Sequence, residues 1–143
     1  MKIAIATDHN GVKEKEYIIN TLSTYNFVDL SKDNNPTDDY PDFAKRVADY
    51  VVKNKNTLGV LMCGTGRGMS IAANKVKGVR CAHCSNVEQA HLAQEHNNAN
   101  IIALSYKQDM KELLSMIEEF ISTPFSNEER HARRVNKIME MEK

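Results

Sequence analysis

The stretch "LGVLMCGTGRGMSIAANK", residues 58–75, runs from an apolar segment through a glycine-rich turn into a helical pattern. Leu58–Met62 carries no charge and reads as a buried strand. Gly64, Gly66 and Gly68 then stand on alternate positions, and the alanine-rich "MSIAANK" that follows has helical character. Strand, tight turn and helix start form the repeating unit of an α/β fold. The turn lies at the strand's carboxyl end, where open α/β sheets bind their ligands.

The same alternation extends in both directions. Ile3–Ala6 reads as a strand, followed by a helix with Val12, Ile18, Ile19 and Leu22 among charges. "FVDL" (27–30) is a second strand, "NNPTDD" a loop, and Pro41 suits the first turn of a helix bearing Phe43, Val47 and Val51. Beyond the quoted stretch Gly78 closes a helix, and "VRCAHC" (79–84) gives a fourth strand and its exit. A helix over 86–95 leads to the strand "NIIAL" (100–104). Leu113, Leu114, Ile117, Phe120 and Ile121 form the stripe of another helix, interrupted by Pro124. Five apolar strands alternating with helices predict an α/β fold with a mainly parallel sheet. A last, highly charged helix runs from about Asn127 to 143. Its apolar face (Val135, Ile138, Met139) needs a cover, either its own sheet or a second subunit.

Length and composition bound the function. The 143 residues suit one domain, 1–143, with no boundary or linker, and such a chain buries roughly 70% of its unfolded surface without disulfide or metal. Nineteen basic residues balance nineteen acidic ones, which argues against a general nucleic-acid binder or a surface held to acidic lipid. "MKIAIATDHNG" is too short in apolar residues for a signal peptide, and no stretch approaches the ~18 needed to span a membrane. Three cysteines do not make a disulfide framework. The expectation is a cytoplasmic protein.

A glycine-rich turn between strand and helix aims several backbone N–H groups at one point, and the helix dipole adds positive charge there. Phosphate, carboxylate or a developing oxyanion would suit it. "GTGRGMS" fits neither G-x-x-x-x-G-K-[ST] nor G-x-G-x-x-G, so the common nucleotide loops are excluded. The plainer reading is a turn needing positive φ. Cys63, just before the nest, is either a small buried hydrophobe or a thiolate acting as nucleophile, base or metal ligand.

Asp8 and His9 follow the first strand, on the edge that carries Cys63, and "EHNNAN" brings His96, Asn97 and Asn100 before the fifth strand. Each histidine alone reads as a surface residue or helix cap. Two facing the edge that bears the thiol and the nest would supply proton donor and acceptor for general acid–base chemistry. Arg130 and Arg134, at i and i+4, share a helical face and could grip a phosphate, or simply be solvated. Cys81 and Cys84 form a C-x-x-C without a second ligand pair at zinc spacing, and it closes a strand where a redox motif opens a helix.

Together "DHNG" (8–11), "DYPDFA" (39–44), "GVLMCGTGRGMSIAANK" (59–75), "GVRCAHC" (78–84), "EHNNANIIAL" (95–104) and "ERHARRV" (129–135) resemble ribose-5-phosphate isomerase type B, of the family that also holds the galactose-6-phosphate isomerase subunits. The resemblance spans nearly the whole chain in order. It implies a three-layer, Rossmann-like α/β/α sandwich with a five-stranded parallel sheet ordered 2-1-3-5-4. It implies a homodimer or homotetramer with active sites at the subunit interface, the last helix being an arm that brings Arg130 and Arg134 to a neighbour's site. No metal or organic cofactor is implied.

By the same resemblance Cys63 is the base, His96 opens the sugar ring, and Thr65 assists the base or steadies the intermediate. The loop amides of Gly64, Gly66, Arg67 and Gly68 hold the enediolate oxygen. His9, Arg130 and Arg134 match phosphate-binding positions, and Asp8, Tyr40, Asn97 and Asn100 match positions that contact or order the sugar. Three departures stand out. Arg67 replaces a small or apolar residue, pointing outward or acting as a cation beside the thiol. Lys107 stands where an arginine helps bind substrate, and "ALS" (103–105) replaces "ALG". The leading expectation is interconversion of ribose 5-phosphate and ribulose 5-phosphate. The alternatives are a galactose-6-phosphate or allose-6-phosphate isomerase subunit and a non-catalytic partner subunit, the latter disfavoured because both Cys63 and His96 are retained.

Overall fold

The computed structural model describes all residues, 1–143. Strands β1 (Lys2–Thr7), β2 (Asn26–Asp29), β3 (Thr57–Cys63), β4 (Cys81–His83) and β5 (Ile101–Ser105) alternate with helices α1 (Val12–Thr21), α2 (Tyr40–Lys53), α3 (Arg67–Ala73), α4 (Val87–Glu95) and α5 (Met110–Ser122). Helix α6 (Glu129–Glu140) closes the chain. The sheet is entirely parallel, in the order β2-β1-β3-β5-β4, so every strand's carboxyl end reaches the same edge.

Residue alternation along the strands builds two unlike faces. Ile3, Ile5, Val60, Met62, Ile102 and Leu104 point to one side, against Ile18 and Leu22 at α1, Ala90 and Ala93 of α4, and Leu113, Met116, Ile117 and Phe120 of α5. Ala4, Ala6, Leu61, Cys63, Ile101 and Ala103 point to the other, against Phe43, Ala44, Val47, Ala48 and Val51 of α2 and Met69 and Ala73 of α3. The result is the three-layer α/β/α sandwich. Strand side chains on the second face are mostly small, which lets α2 come close. At Gly59 a Cβ would stand 2.7 Å from the Val47 Cγ1.

Several boundaries differ from the sequence reading. Helix α3 ends at Ala73, five residues before Gly78, because the Asn74 side chain ties the helix end to β4. Its amide donates to the Ser70 and Cys81 carbonyls (3.0 and 2.9 Å) and its oxygen accepts the Cys81 N–H (2.9 Å). Strand β4 keeps three residues of the expected six, since it pairs with β5 alone. Helix α5 stops at Ser122, ahead of Pro124, and α6 begins two residues later than expected.

The last helix docks on its own chain. His131 and Val135 are buried, the Arg80 guanidinium reaches the Met139 sulfur (3.5 Å), and both Glu142 oxygens accept the Gly78 N–H (2.9 and 3.0 Å). Ile138 nevertheless stays 44% exposed and Met141 82%. One face of α6 is therefore covered within the chain and another is not. No helix of the chain is long and apolar enough to cross a membrane.

Candidate active site at the carboxyl edge

Cys63 ends β3 with its side chain turned toward α2 and α3, and only 5% of the residue is exposed. Its sulfur accepts the Gly66 N–H at 3.2 Å. Gly66 has φ +81°, and a Cβ there would stand 2.9 Å from the Leu104 carbonyl carbon and from the His83 ring. The turn thus needs glycine on two counts. At Gly68 a Cβ would fall 2.5 Å from the Tyr40 ring, so a larger residue would push the Tyr40 side chain aside.

The loop retains donors for an anion. Gly66 N–H is directed to the sulfur and Arg67 N–H to the Thr65 hydroxyl oxygen (3.2 Å), but the amides of Gly64, Thr65 and Gly68 have no partner within the chain. The Thr65 hydroxyl keeps its own proton for donation. Its carbonyl is bonded to the His83 ring (2.9 Å), which props the loop from β4. Arg67 is exposed and forms no ion pair within the chain.

Residues after β1 and β5 complete this edge. Asp8 is 9% exposed, one carboxylate oxygen accepting the Asn10 N–H (3.0 Å). The His9 Nδ1 lies 2.7 Å from Asp38, whose carboxylate is held at about 2: burial pushes it up, but hydrogen bonds from Asn34, His9 and Asn35 outweigh that. The Asp38 hydrogen bond in turn raises the His9 pKa. Behind them the buried Lys15 ammonium binds Asp29 (3.0 Å) and the Ser31 carbonyl and hydroxyl (2.9 and 3.0 Å), and Ser31 Oγ accepts the Thr7 N–H (3.2 Å). A buried charge so paired pins the β2 exit against the end of β1.

On the β5 side, Ser105 Oγ donates to the Gly64 carbonyl (2.7 Å) and Tyr106 N–H to the Cys63 carbonyl (3.3 Å). These bonds set the Tyr106 hydroxyl and the Lys107 ammonium over Gly64, 3.8 and 3.9 Å from where a Cβ would stand. Burial, then the Asp8 charge, pushes the Tyr106 pKa up.

The remaining candidates lie elsewhere, which corrects the expectation that both histidines face one edge. His96 follows α4 and precedes β5, so it stands at the amino edge, with the Ile101–Ser105 strand, roughly 13 Å long, between it and Cys63. Its ring stacks on His131, centroids 4.1 Å apart. Burial, with His96 and Arg130 nearby, lowers the His131 pKa. Ser126 N–H donates to the Glu95 carbonyl (3.0 Å), which brings the start of α6, and so Arg130 and Arg134, to this edge too. Arg130 is exposed beside Glu128 (3.5 Å), and Arg134 is exposed without an ion-pair partner in the chain.

Asn97 lines a cleft of about 290 Å³ between β4 and α6, with Arg80 and Ile138. The Asn100 amide donates to the Gly78 carbonyl (2.8 Å) and its oxygen accepts the Arg80 N–H (2.7 Å), so it ties the β4 approach to β5.

Sequence reasoning gave no role to Asp38, His83 and Tyr106, and marked Ser105 only as a departure. Tyr106 was findable, since it directly follows β5 on the edge already chosen. Asp38 sits in a polar loop with nothing to single it out. The C-x-x-C thiols are free, burial pushing Cys81 to about 12 and Cys84 to about 11. No three His, Cys, Asp or Glu side chains stand close enough to hold a metal ion.

Comparison with known proteins agrees with this geometry. Residues 3–138 match the model of the family described as Ribose/Galactose Isomerase. A probable ribose-5-phosphate isomerase B of Mycoplasma genitalium is 44% identical over 99% of this chain and 95% of its own. The ribose-5-phosphate isomerase B of Mycolicibacterium paratuberculosis is 37% identical, over 100% of this chain and 92% of its own. Among solved structures, the Mycoplasma genitalium enzyme with bound ribulose-5-phosphate superposes with a TM-score of 0.93 at 43% identity, covering 99% of this chain and 95% of that one. The type B enzyme of Trypanosoma cruzi also gives 0.93, at 40% identity, over 99% and 98% of the two chains. By its sequence and its strand order, the chain belongs to the ribose/galactose isomerase family.

Proposed function

We propose that this chain is a cytoplasmic aldose–ketose isomerase, one domain over 1–143, interconverting ribose 5-phosphate and ribulose 5-phosphate. The observation that carries the reading is the Cys63 sulfur at the mouth of a loop whose Gly64, Thr65 and Gly68 amides are free to accept an anion.

The ring opens first, as a proton leaves the anomeric hydroxyl and another reaches O5. His96 is the residue for this transfer. The Cys63 thiolate then takes the C2 proton, and the electron pair moves through C1 to O1. The loop amides stabilise that oxyanion, as donors fixed in advance do. The same proton returns to C1, the O2 proton passes to O1, and the ketose results.

His96 cannot reach the Cys63 of its own chain, so the working unit is a homo-oligomer, built from dimers. In a twofold pair, the amino edge of one copy, with His96, Asn97, Arg130 and Arg134, faces the carboxyl edge of the other, and two identical sites form at once. Exposed Ile138 and Met141 favour such a contact. His9 from one copy and Arg130 and Arg134 from the other bind the phosphate, while Asp8, Tyr40 and Lys107 line the sugar.

Proton NMR of ribose 5-phosphate with the protein in D₂O tests the reading. Ribulose 5-phosphate should appear, with deuterium at C1 only to the extent that the Cys63 thiol proton exchanges with solvent before it returns. Turnover of a hexose phosphate alone would move the chain to the six-carbon branch, and no turnover of either would leave the partner-subunit reading.

A further inference from the structure

The Asp38 carboxylate accepts four hydrogen bonds. His9 gives its backbone N–H (3.0 Å) and Nδ1 (2.7 Å) to one oxygen, and the Asn34 side chain (2.9 Å) and Asn35 N–H (3.1 Å) serve the other. Its side chain is 5% exposed against 33% for His9. Asn34 also donates to the Thr7 carbonyl (3.0 Å) at the end of β1, and Arg46 of α2 clamps Asp33 through two bonds (2.7 and 2.9 Å). The 31–39 loop is therefore folded around Asp38 and fixed to the strand that presents His9.

This arrangement dictates the state of the imidazole. An ionised carboxylate only accepts, so the Nδ1 facing it carries a proton. The neutral ring would then expose a bare Nε2 lone pair, which repels an anion. His9 can donate outward only as imidazolium, and the paired carboxylate favours that form. The charged groups facing the ring are Asp38 and Asp8, both acidic, and Val12, Asn34, Asn35 and Pro36 line the cleft around it.

We propose that Asp38 is a positioning residue that holds His9 as a fixed cation and aims its Nε2–H at the substrate's phosphate. The proposal rests on the reading of His9 as a phosphate ligand under Proposed function. Its consequence is phosphate affinity that persists at pH values where a free imidazole has lost its charge.

NMR titration of the His9 ring in the full-length protein, without sugar, tests it. In the wild type His9 should titrate above the free imidazole value of about 6.5. In Asp38→Asn it should fall back toward that value, whereas in Asp38→Glu, which disturbs the same loop but keeps the charge, it should stay raised. Inorganic phosphate should perturb the wild-type His9 more strongly than the Asp38→Asn His9 at the same pH, just above the free imidazole value. Its affinity should drop about fivefold in Asp38→Asn, the difference between a charge-assisted and a neutral hydrogen bond. With ribose 5-phosphate the same variant should raise KM and leave kcat within about twofold, because only ground-state grip is lost.

A wild-type His9 titrating at or below the free value overturns the proposal, even if Asp38→Asn fails to fold. So do identical His9 titrations in the Asn and Glu variants. Because the NMR arms need no turnover, a chain inactive on ribose 5-phosphate but with a charged, phosphate-sensitive His9 would refute the isomerase reading and leave this one standing.

Discussion

The Gly66 backbone N–H donates to the Cys63 sulfur across 3.2 Å, within a turn that only glycine can make. One hydrogen bond thus couples the shape of the glycine loop to the position of the Cys63 sulfur, the proposed base. Gly66→Ala must relax φ +81° and displace the Leu104 carbonyl and His83 ring. The expected cost is about 1–3 kcal/mol of stability, seen in urea unfolding, together with loss of nearly all turnover. A variant with wild-type kcat would separate the loop's shape from catalysis.

Cys63→Ala removes a nearly buried sulfur of modest volume, so the fold should persist while isomerisation stops. Turnover should fall at least 10³-fold, since proton abstraction from carbon then has no base. Circular dichroism and the D₂O assay on one preparation check both halves. Substantial residual activity would assign the base to another group.

Ser105 bridges two parts of the site, from the Gly64 carbonyl to the Lys107 N–H (2.7 and 3.2 Å). Ser105→Ala frees the Gly64 carbonyl at a cost of about 1 kcal/mol. Because this bond steadies the loop proposed to hold the oxyanion, kcat should drop severalfold with little change in KM. A change confined to KM would place Ser105 in substrate binding instead.

The Asp38 carboxylate also shapes acid stability. Its value of about 2 lies below the ordinary 3.8, so its contribution is complete above the unfolded value and disappears as pH falls from 3.8 toward 2. His9, raised by the same partner, contributes with the opposite slope: fully below 6.5, then lost as pH rises through its folded value. The urea-midpoint gap between wild type and Asp38→Asn should be widest near pH 5 and shrink on acidification toward pH 2.5. A gap constant over that range contradicts the paired carboxylate.

The fold was largely legible because its signals are local. Buried runs such as Leu58–Met62 and Ile101–Leu104 announce themselves by lacking charge, and the stripes of α2 and α5 by their period. Short β4 was over-read because "VRCAHC" is apolar enough for a strand, while its length is set by its single pairing with β5, which only tertiary structure decides. The site was half legible. Cys63, the glycines, Asp8 and His9 share an edge because strand ends in a parallel sheet must. His96 was misplaced because a residue before a strand lies a full strand length from one after it. Asp38 gains its meaning only when the 31–39 loop folds back onto His9, which no periodicity records.

Arg134 has no ion-pair partner in its own chain, and the substrate phosphate bound at a neighbour's site is its proposed partner. Arg134→Ala should raise KM for ribose 5-phosphate on the order of tenfold or more, the weight of a charge-assisted contact, and leave activity on unphosphorylated ribose unchanged. Equal effects on both sugars would remove Arg134 from phosphate binding.

Complementation tests the shared site most directly. Cys63→Ala and His96→Asn chains, each inactive on cyclic ribose 5-phosphate, are mixed, unfolded and refolded together. If Cys63 and His96 meet across a twofold interface, half the dimers are mixed and each has one intact site, restoring about a quarter of wild-type activity. Activity no greater than the sum of the two variants alone would mean that the two residues serve the same chain, or no common site, and the account of opposite edges would fall.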